Sequence, residues 1–199
     1  MRHILALTFV IYALFIGCIQ HEEIEISNIS DNSTSDISKL IYQGSQYYFN
    51  QNYTMAEKLL VEAIEHKHAA DYKYIESAYV FLGKIYNKTG SYEKTIDVIK
   101  SGLRLKFHTS ELNKLLGVAY FKKGNMQKAK RNFIEALNIN PSAVECHYFL
   151  GLVYLRENKP YLALTEFEKE LSICDNKEVI DEIRKLREKG GFKDDRGRD

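Results

Sequence analysis

The residues best equipped for chemistry in this chain are its three cysteines, Cys18, Cys146 and Cys174, and its six histidines. A thiol can pair or ligate a metal, and an imidazole can ligate a metal or carry a proton, so their spacing is what decides between these roles. His66 and His68 stand two apart, which on a helix sends their rings in different directions. Cys146 and His147 are adjacent and do not by themselves chelate one ion, so no metal site is expected. The carboxylates Glu166, Glu168 and Glu170 read as a solvated helix face. No HExxH helix, phosphate-cradling glycine loop or GxSxG elbow occurs. These residues name no catalytic group, metal, cofactor or small-molecule substrate, and the expectation is a protein that binds rather than one that catalyses.

The elements that must position these residues recur along the chain. Gln43-Gly44 with Tyr47, Leu82-Gly83 with Tyr86, Leu116-Gly117 with Tyr120, and Leu150-Gly151 with Tyr154 share one pattern, and the glycines step by 39, 34 and 34 residues. Self-similarity at this period marks a solenoid, in which each unit covers its neighbour's apolar face. With 199 residues, 45% hydrophobic content and two prolines, the chain suits one ordered, helix-rich array. Its 28 basic and 27 acidic side chains balance, so no bulk charge advertises nucleic acid.

Aligning the glycines gives units at 37–70, 76–109, 110–143 and 144–177, each reading as two helices. In the third, Leu116, Gly117 and Tyr120 lie on the first helix, Gly124 breaks it, and Ala129, Phe133 and Ala136 follow before Asn140-Pro141. The fourth has Leu150, Gly151, Tyr154, Ala163 and Phe167. The first has Gly44, Tyr47, Ala56, Leu60 and Ala63. The second keeps Leu82, Gly83, Tyr86 and Gly90 but carries Thr95, Ile99 and Gly102 in its second helix. On these residues the chain resembles the tetratricopeptide repeat (TPR) family. The resemblance implies an all-α fold: a right-handed superhelical solenoid of about four helix-turn-helix repeats over 37–177. Residues 178–189 read as a capping helix, because Val179, Ile180, Ile183 and Leu186 recur at helical spacing among charges. Residues 190–199 read as a solvated tail.

Steric fit explains the pattern. A side chain at Gly83, Gly117 or Gly151 would push apart two helices that must approach closely, while Ala56, Ala129 and Ala163 are the small facing surfaces. Residues 71–75, between the first two units, read as a longer turn or an extended helix. Glu170 stands where the family carries a small residue, so that side of the fourth unit is expected to stay partly wet. Cys146 and Cys174 fall near the start and end of this unit, ends that a helix hairpin brings together. A disulfide and two separate buried thiols both remain open.

The amino terminus reads separately. Arg2 and His3 precede an apolar run from Ile4 to Ile16, the layout of a secretory signal over residues 1–17 and too short to span a membrane comfortably. Leu14-Phe15-Ile16-Gly17-Cys18 resembles a bacterial lipoprotein signal box, with Phe15 and Ile16 standing where leucine and a small residue are usual. The resemblance implies cleavage before Cys18 and a lipid on its thiol, hence a membrane-held protein of the bacterial cell envelope, facing the periplasm. Ile19, which is not acidic, leans the placement toward the outer membrane. Residues 18–36 turn to Ser, Asn, Asp and Glu and read as a flexible tether.

In the family, certain positions of each first helix face the concave side of the superhelix and contact extended peptides. By register they include Tyr48 and Phe49 in the first unit and Lys84 and Lys88 in the second. Lys114, Phe121 and Lys122 follow in the third, with Glu111 beside them, and Tyr148, Leu152 and Arg156 in the fourth. This aromatic and basic lining implies a protein or peptide partner with apolar residues and acidic flanks. The alternative, that Tyr48, Phe49, Phe121 and Tyr148 pack against neighbouring helices, stays open at this point. The family's two-unit clamp for a terminal carboxylate is absent, since its asparagine positions hold Ser45, Lys84, Val118 and Leu152. The expected function is a membrane-tethered scaffold or adaptor that binds protein partners in envelope complex assembly. The alternative is a self-associating structural or enzyme-accessory subunit, and the oligomeric state is left unassigned.

Overall fold

A computed structural model describes residues 36–65 and 72–190. The expected signal segment 1–17, the Cys18 expected to carry a lipid, the expected tether up to residue 35 and the expected tail from residue 191 lie outside the described residues. The described residues form nine helices and no strand: α1 (Asp36–Phe49), α2 (Tyr53–Glu65), α3 (Tyr72–Lys88), α4 (Tyr92–Arg104), α5 (Ser110–Lys122), α6 (Met126–Ile139), α7 (Cys146–Arg156), α8 (Pro160–Ile173) and α9 (Lys177–Gly190). They fall into two compact units, 36–143 with α1–α6 and 144–190 with α7–α9.

In the six-helix unit the helices pair as α1 with α2, α3 with α4 and α5 with α6. Each later pair also packs onto the one before it, α3 on α1 and α2, and α5 on α3 and α4. The third repeat shows why its residues choose these places. Thr109 closes the start of α5 by accepting a hydrogen bond from the Leu112 amide at 3.5 Å, and Asn125 does the same for α6 with Lys128 at 3.1 Å. Between the helices Gly124 adopts φ 80°, the left-handed conformation a glycine takes at little cost. α5 packs on α6, and Leu112, Leu116, Ala119 and Tyr120 of the first and Ala129, Phe133 and Ala136 of the second are all buried. A Cβ on Gly117 would lie 2.6 Å from a ring carbon of Phe133. The seam therefore closes only without a side chain there. A buried ring of this kind contributes about 1.5–3 kcal/mol.

The same clash recurs at the other strides, with Leu60 at 2.8 Å from a Cβ on Gly44 and Ile99 at 2.7 Å from one on Gly83. The second repeat accommodates its buried threonine through a hydrogen bond. Thr95 is fully buried and donates its hydroxyl to Asn87 Oδ1 at 3.1 Å, while Asn87 donates its amide to the Leu115 carbonyl at 3.0 Å. A polar side chain in an alanine position is thus satisfied by a neighbour that also ties α3 to α5. Of the extra residues between the first two repeats, 72–75 are an added first turn of α3.

In the three-helix unit α7 pairs with α8, and α9 packs on α8. A Cβ on Gly151 would lie 2.3 Å from a ring carbon of Phe167, the tightest approach among these glycines. Val179 and Ile183 of α9 close over Ala163 and Phe167, with Leu186 beside them. Cys146 and Cys174 are both buried and the structure does not join them in a disulfide, the Cys174 thiol instead donating to Glu170 Oε1 at 3.8 Å.

Glu170 corrects an expectation. It has no exposed surface, and its carboxylate accepts hydrogen bonds from the backbone amides of Glu145 at 2.6 Å and Tyr148 at 3.2 Å. The side expected to be wet is closed, because the start of α7 needs this acceptor. Glu145, its N-cap residue, sits at φ 70° and its own side chain makes no cap. The amide groups that open any helix lack intrahelical partners, and a carboxylate at that positive end suits both the amides and the dipole.

Candidate partner-binding face

Within the six-helix unit the sequence-predicted residues lie on the first helix of each repeat, α1, α3 and α5. Tyr48 and Phe49 end α1, Phe81 lies on α3, and Tyr53 opens α2. Their rings form one cluster, with centroids 5.4 Å apart for Tyr48 and Phe49, 5.9 Å for Tyr48 and Tyr53, 5.3 Å for Tyr48 and Phe81, and 5.9 Å for Phe49 and Phe81. Edge-to-face and tilted pairs at these separations are mutually attractive. The cluster still faces water in part, for Phe49 keeps 50% of its surface exposed.

Lysines border the rings. Lys84 Nζ lies 5.9 Å from the centre of Phe81, and Lys88 Nζ lies 5.9 Å from the centre of Tyr53, both within cation–π range. Burial pushes the Tyr48 hydroxyl's pKa up, with Lys88 opposing and Tyr53 and Glu111 adding to the rise, so the phenol stays protonated and able to donate. Glu111 anchors the basic side. Its Oε1 is 3.2 Å from Lys84 Nζ and its Oε2 is 2.9 Å from Lys114 Nζ. Burial would raise its pKa, yet the charges of Lys114 and Lys84 prevail and hold it below the usual carboxylate range.

The other sequence-predicted residues fall variously. Lys88 and Lys122 are exposed, whereas Lys114 is half-buried in its ion pair and Phe121 is buried with 8% of its surface left. Phe121 thus serves the interior more than the face. In the three-helix unit, Tyr148 and Leu152 are half-buried against Phe167, Val179 and Ile183, with the Tyr148 ring 6.0 Å from that of Phe167, and Arg156 is exposed. Burial, then Glu182 and Glu178, raises the Tyr148 pKa. Tyr148 and Leu152 therefore divide their surface between the cap helix and solvent.

Sequence reasoning missed Phe81 and Tyr53 as members of the cluster. The signal was faint: Phe81 immediately precedes the Leu82-Gly83 pair, and Tyr53 belongs to a second helix, which the register search did not cover. Among the described residues no group of three or more His, Cys, Asp or Glu is arranged to hold a metal ion, and no helix is long and apolar enough to cross a membrane.

Comparison with known proteins bears on these repeats directly. Residues 76–109 match a family model described as tetratricopeptide repeat, and residues 117–158 match one described as TPR repeat. A segment of 57 residues, 29% of this chain, is 39% identical to the type IV pilus assembly protein PilF of Pseudomonas aeruginosa and spans 23% of that protein's length. The crystal structure of MamA superposes with a TM-score of 0.62 over 74% of this chain and 84% of that one, at 23% identity. A thermophilic TPR protein of Thermus thermophilus superposes with a TM-score of 0.63 over 78% of this chain and 83% of that one, at 19% identity. At these identities the structural likeness speaks for the fold alone.

Proposed function

We infer, from the premise that this chain is a tetratricopeptide-repeat protein, that it is a scaffold which holds a protein partner against the aromatic and basic face of its six-helix unit. Stacked repeats of this kind present extended surfaces rather than closed pockets, and such surfaces act by binding. The observation that carries the reading is the ring cluster of Tyr48, Phe49, Tyr53 and Phe81, left half in water and bordered by Lys84 and Lys88. Exposed aromatic surface beside charge is a feature of interfaces. The partner it suits is a segment with apolar side chains for the rings and carboxylates for the lysines.

The finer reading places this scaffold in a bacterial envelope, lipidated at Cys18, facing the periplasm and serving the assembly of an envelope complex. The signal-like segment before Cys18 supports it, as does the similarity of 57 residues to a protein named for type IV pilus assembly. A diacylglycerol-type anchor contributes about 0.8 kcal/mol for each methylene it buries, which would hold the chain at a membrane surface. Crosslinking and pull-down from intact membranes tests the reading. The variant Phe49→Ala with Lys88→Glu and Lys122→Glu, all on exposed side chains, is expected to lose the partner that the unaltered chain retains. Retention of the partner by this variant would overturn the assignment of the face. Mass spectrometry of the mature amino terminus tests the lipid at Cys18 independently.

A further inference from the structure

The basic, aromatic face holds a carboxylate of its own, and its position bears on which partners the face accepts. Glu111 lies in the first turn of α5, yet Thr109 already caps that helix, so the carboxylate is not spent on the helix's own amides. It reaches instead between Lys84 of α3 and Lys114, at 3.2 and 2.9 Å, with 28% of its side chain still exposed. Lys84 also lies over the Phe81 ring, which makes the ion pair continuous with the aromatic cluster.

We propose that Glu111 stands in the place of a partner's carboxylate, so that an incoming segment must exchange its own carboxylate for Glu111 on Lys84 and Lys114, and Glu111 thereby determines how selectively the face takes acidic segments. This rests on the reading of that face as the partner site. The two lysines hold Glu111 ionised against the cost of partial burial, so the spot favours an anion whichever molecule supplies it. Glu111 cancels one of the two lysine charges and would repel a carboxylate entering beside it, so the incoming group gains most where Glu111 gives up the lysines. Exposure on one side gives Glu111 room to leave.

The test uses the full chain in mild detergent and two fluorescein-labelled synthetic peptides, both rich in Leu and Phe, one with Glu flanks and one with Gln in their place. Glu111→Gln is expected to bind the Glu peptide roughly tenfold more tightly, the equivalent of about 1.4 kcal/mol. Binding of the Gln peptide is expected to stay unchanged, and the gain should shrink as salt is raised. Glu57→Gln, which alters a different ion pair in the same unit, is expected to leave both affinities unchanged. Equal gains for both peptides, or weaker binding of the Glu peptide by Glu111→Gln, overturn the exchange while leaving the face as the binding site. Failure of either peptide to bind any version of the chain overturns the face and the exchange together. A helical circular dichroism spectrum matching that of the unaltered chain establishes that Glu111→Gln is folded in each case.

Discussion

The third and fourth repeats carry the same stride of Leu-Gly and Tyr, and they start their first helices in opposite ways. In α5 the start is local, since Thr109 caps the helix it precedes. In α7 the start is remote: Glu145 takes a left-handed backbone, offers no cap, and leaves the task to Glu170 on the next helix. Backbone strain at a non-glycine residue costs on the order of 1–3 kcal/mol and persists only where its surroundings hold it. The two seams, by contrast, are alike, a ring on the second helix lying over a glycine on the first. Packing between helices is thus fixed by the repeated residues, whereas helix starts are solved repeat by repeat.

The largest effect tests the likeness. Phe133→Ala and Phe167→Ala each remove a ring with no exposed surface, and each is expected to destabilise its own unit by about 3–5 kcal/mol. Equilibrium denaturation followed by circular dichroism measures both. Costs that differ by more than the spread of that range would mean that the two seams are not equivalent.

Next come the two starts. Glu170→Ala strips the acceptor from two partly buried amide donors, and with each group near the lower end of about 1–3 kcal/mol the expected loss is about 2–4 kcal/mol. Faster hydrogen exchange at the Tyr148 amide should accompany it. Thr109→Ala removes a single cap bond and is expected to cost only about 1 kcal/mol. If the two substitutions cost the same, the remote cap does no more than a local one, and the contrast between the repeats fails.

These magnitudes also mark what could be read in the sequence. The helical hairpins and their glycine seams were legible because Gly117 with Phe133 and Gly151 with Phe167 obey a fixed spacing, and spacing is what a sequence displays. Glu170 was misread as facing water because its partners, the amides of Glu145 and Tyr148, are backbone groups that no residue letter reports. Thr95 was visible as a departure from the repeat, but its hydrogen bond to Asn87 across the helix pair was not. On the candidate face, Lys84 and Lys114 were visible as charge, and Glu111 was visible as a neighbour. Their pairing depends on where the ends of long side chains meet, which register alone does not give. Phe81 and Tyr53 joined the cluster through tertiary approach: Tyr53 lies on a second helix, and Phe81, though on α3, falls outside the register that picks out Lys84 and Lys88.

The smallest effect concerns a second carboxylate near the start of the fourth repeat. His147 Nδ1 donates to Glu166 Oε2 at 2.6 Å, and Lys169 Nζ reaches Oε1 at 2.8 Å. Burial pushes the Glu166 pKa up, but the hydrogen bonds from His147 and Lys169 outweigh it and leave the group below the ordinary carboxylate value. A carboxylate whose pKa is lowered by folding contributes stability that is fully present above its unfolded value and is lost as the pH falls through the folded one. The three-helix unit should therefore weaken on acidification, and Glu166→Gln, which cannot ionise, should flatten that part of its pH profile. Denaturation midpoints taken across the carboxylate range provide the measurement. Because the pair is partly in water, the change should be smaller than the loss of the Thr109 cap and should fade with added salt. At the start of the third repeat the corresponding carboxylate is Glu111, held ionised by Lys84 and Lys114, so the six-helix unit should show an acid slope of its own that Glu166→Gln leaves unchanged. An acid slope of the three-helix unit that survives Glu166→Gln unchanged would shift its source to other carboxylates of the fourth repeat and its cap.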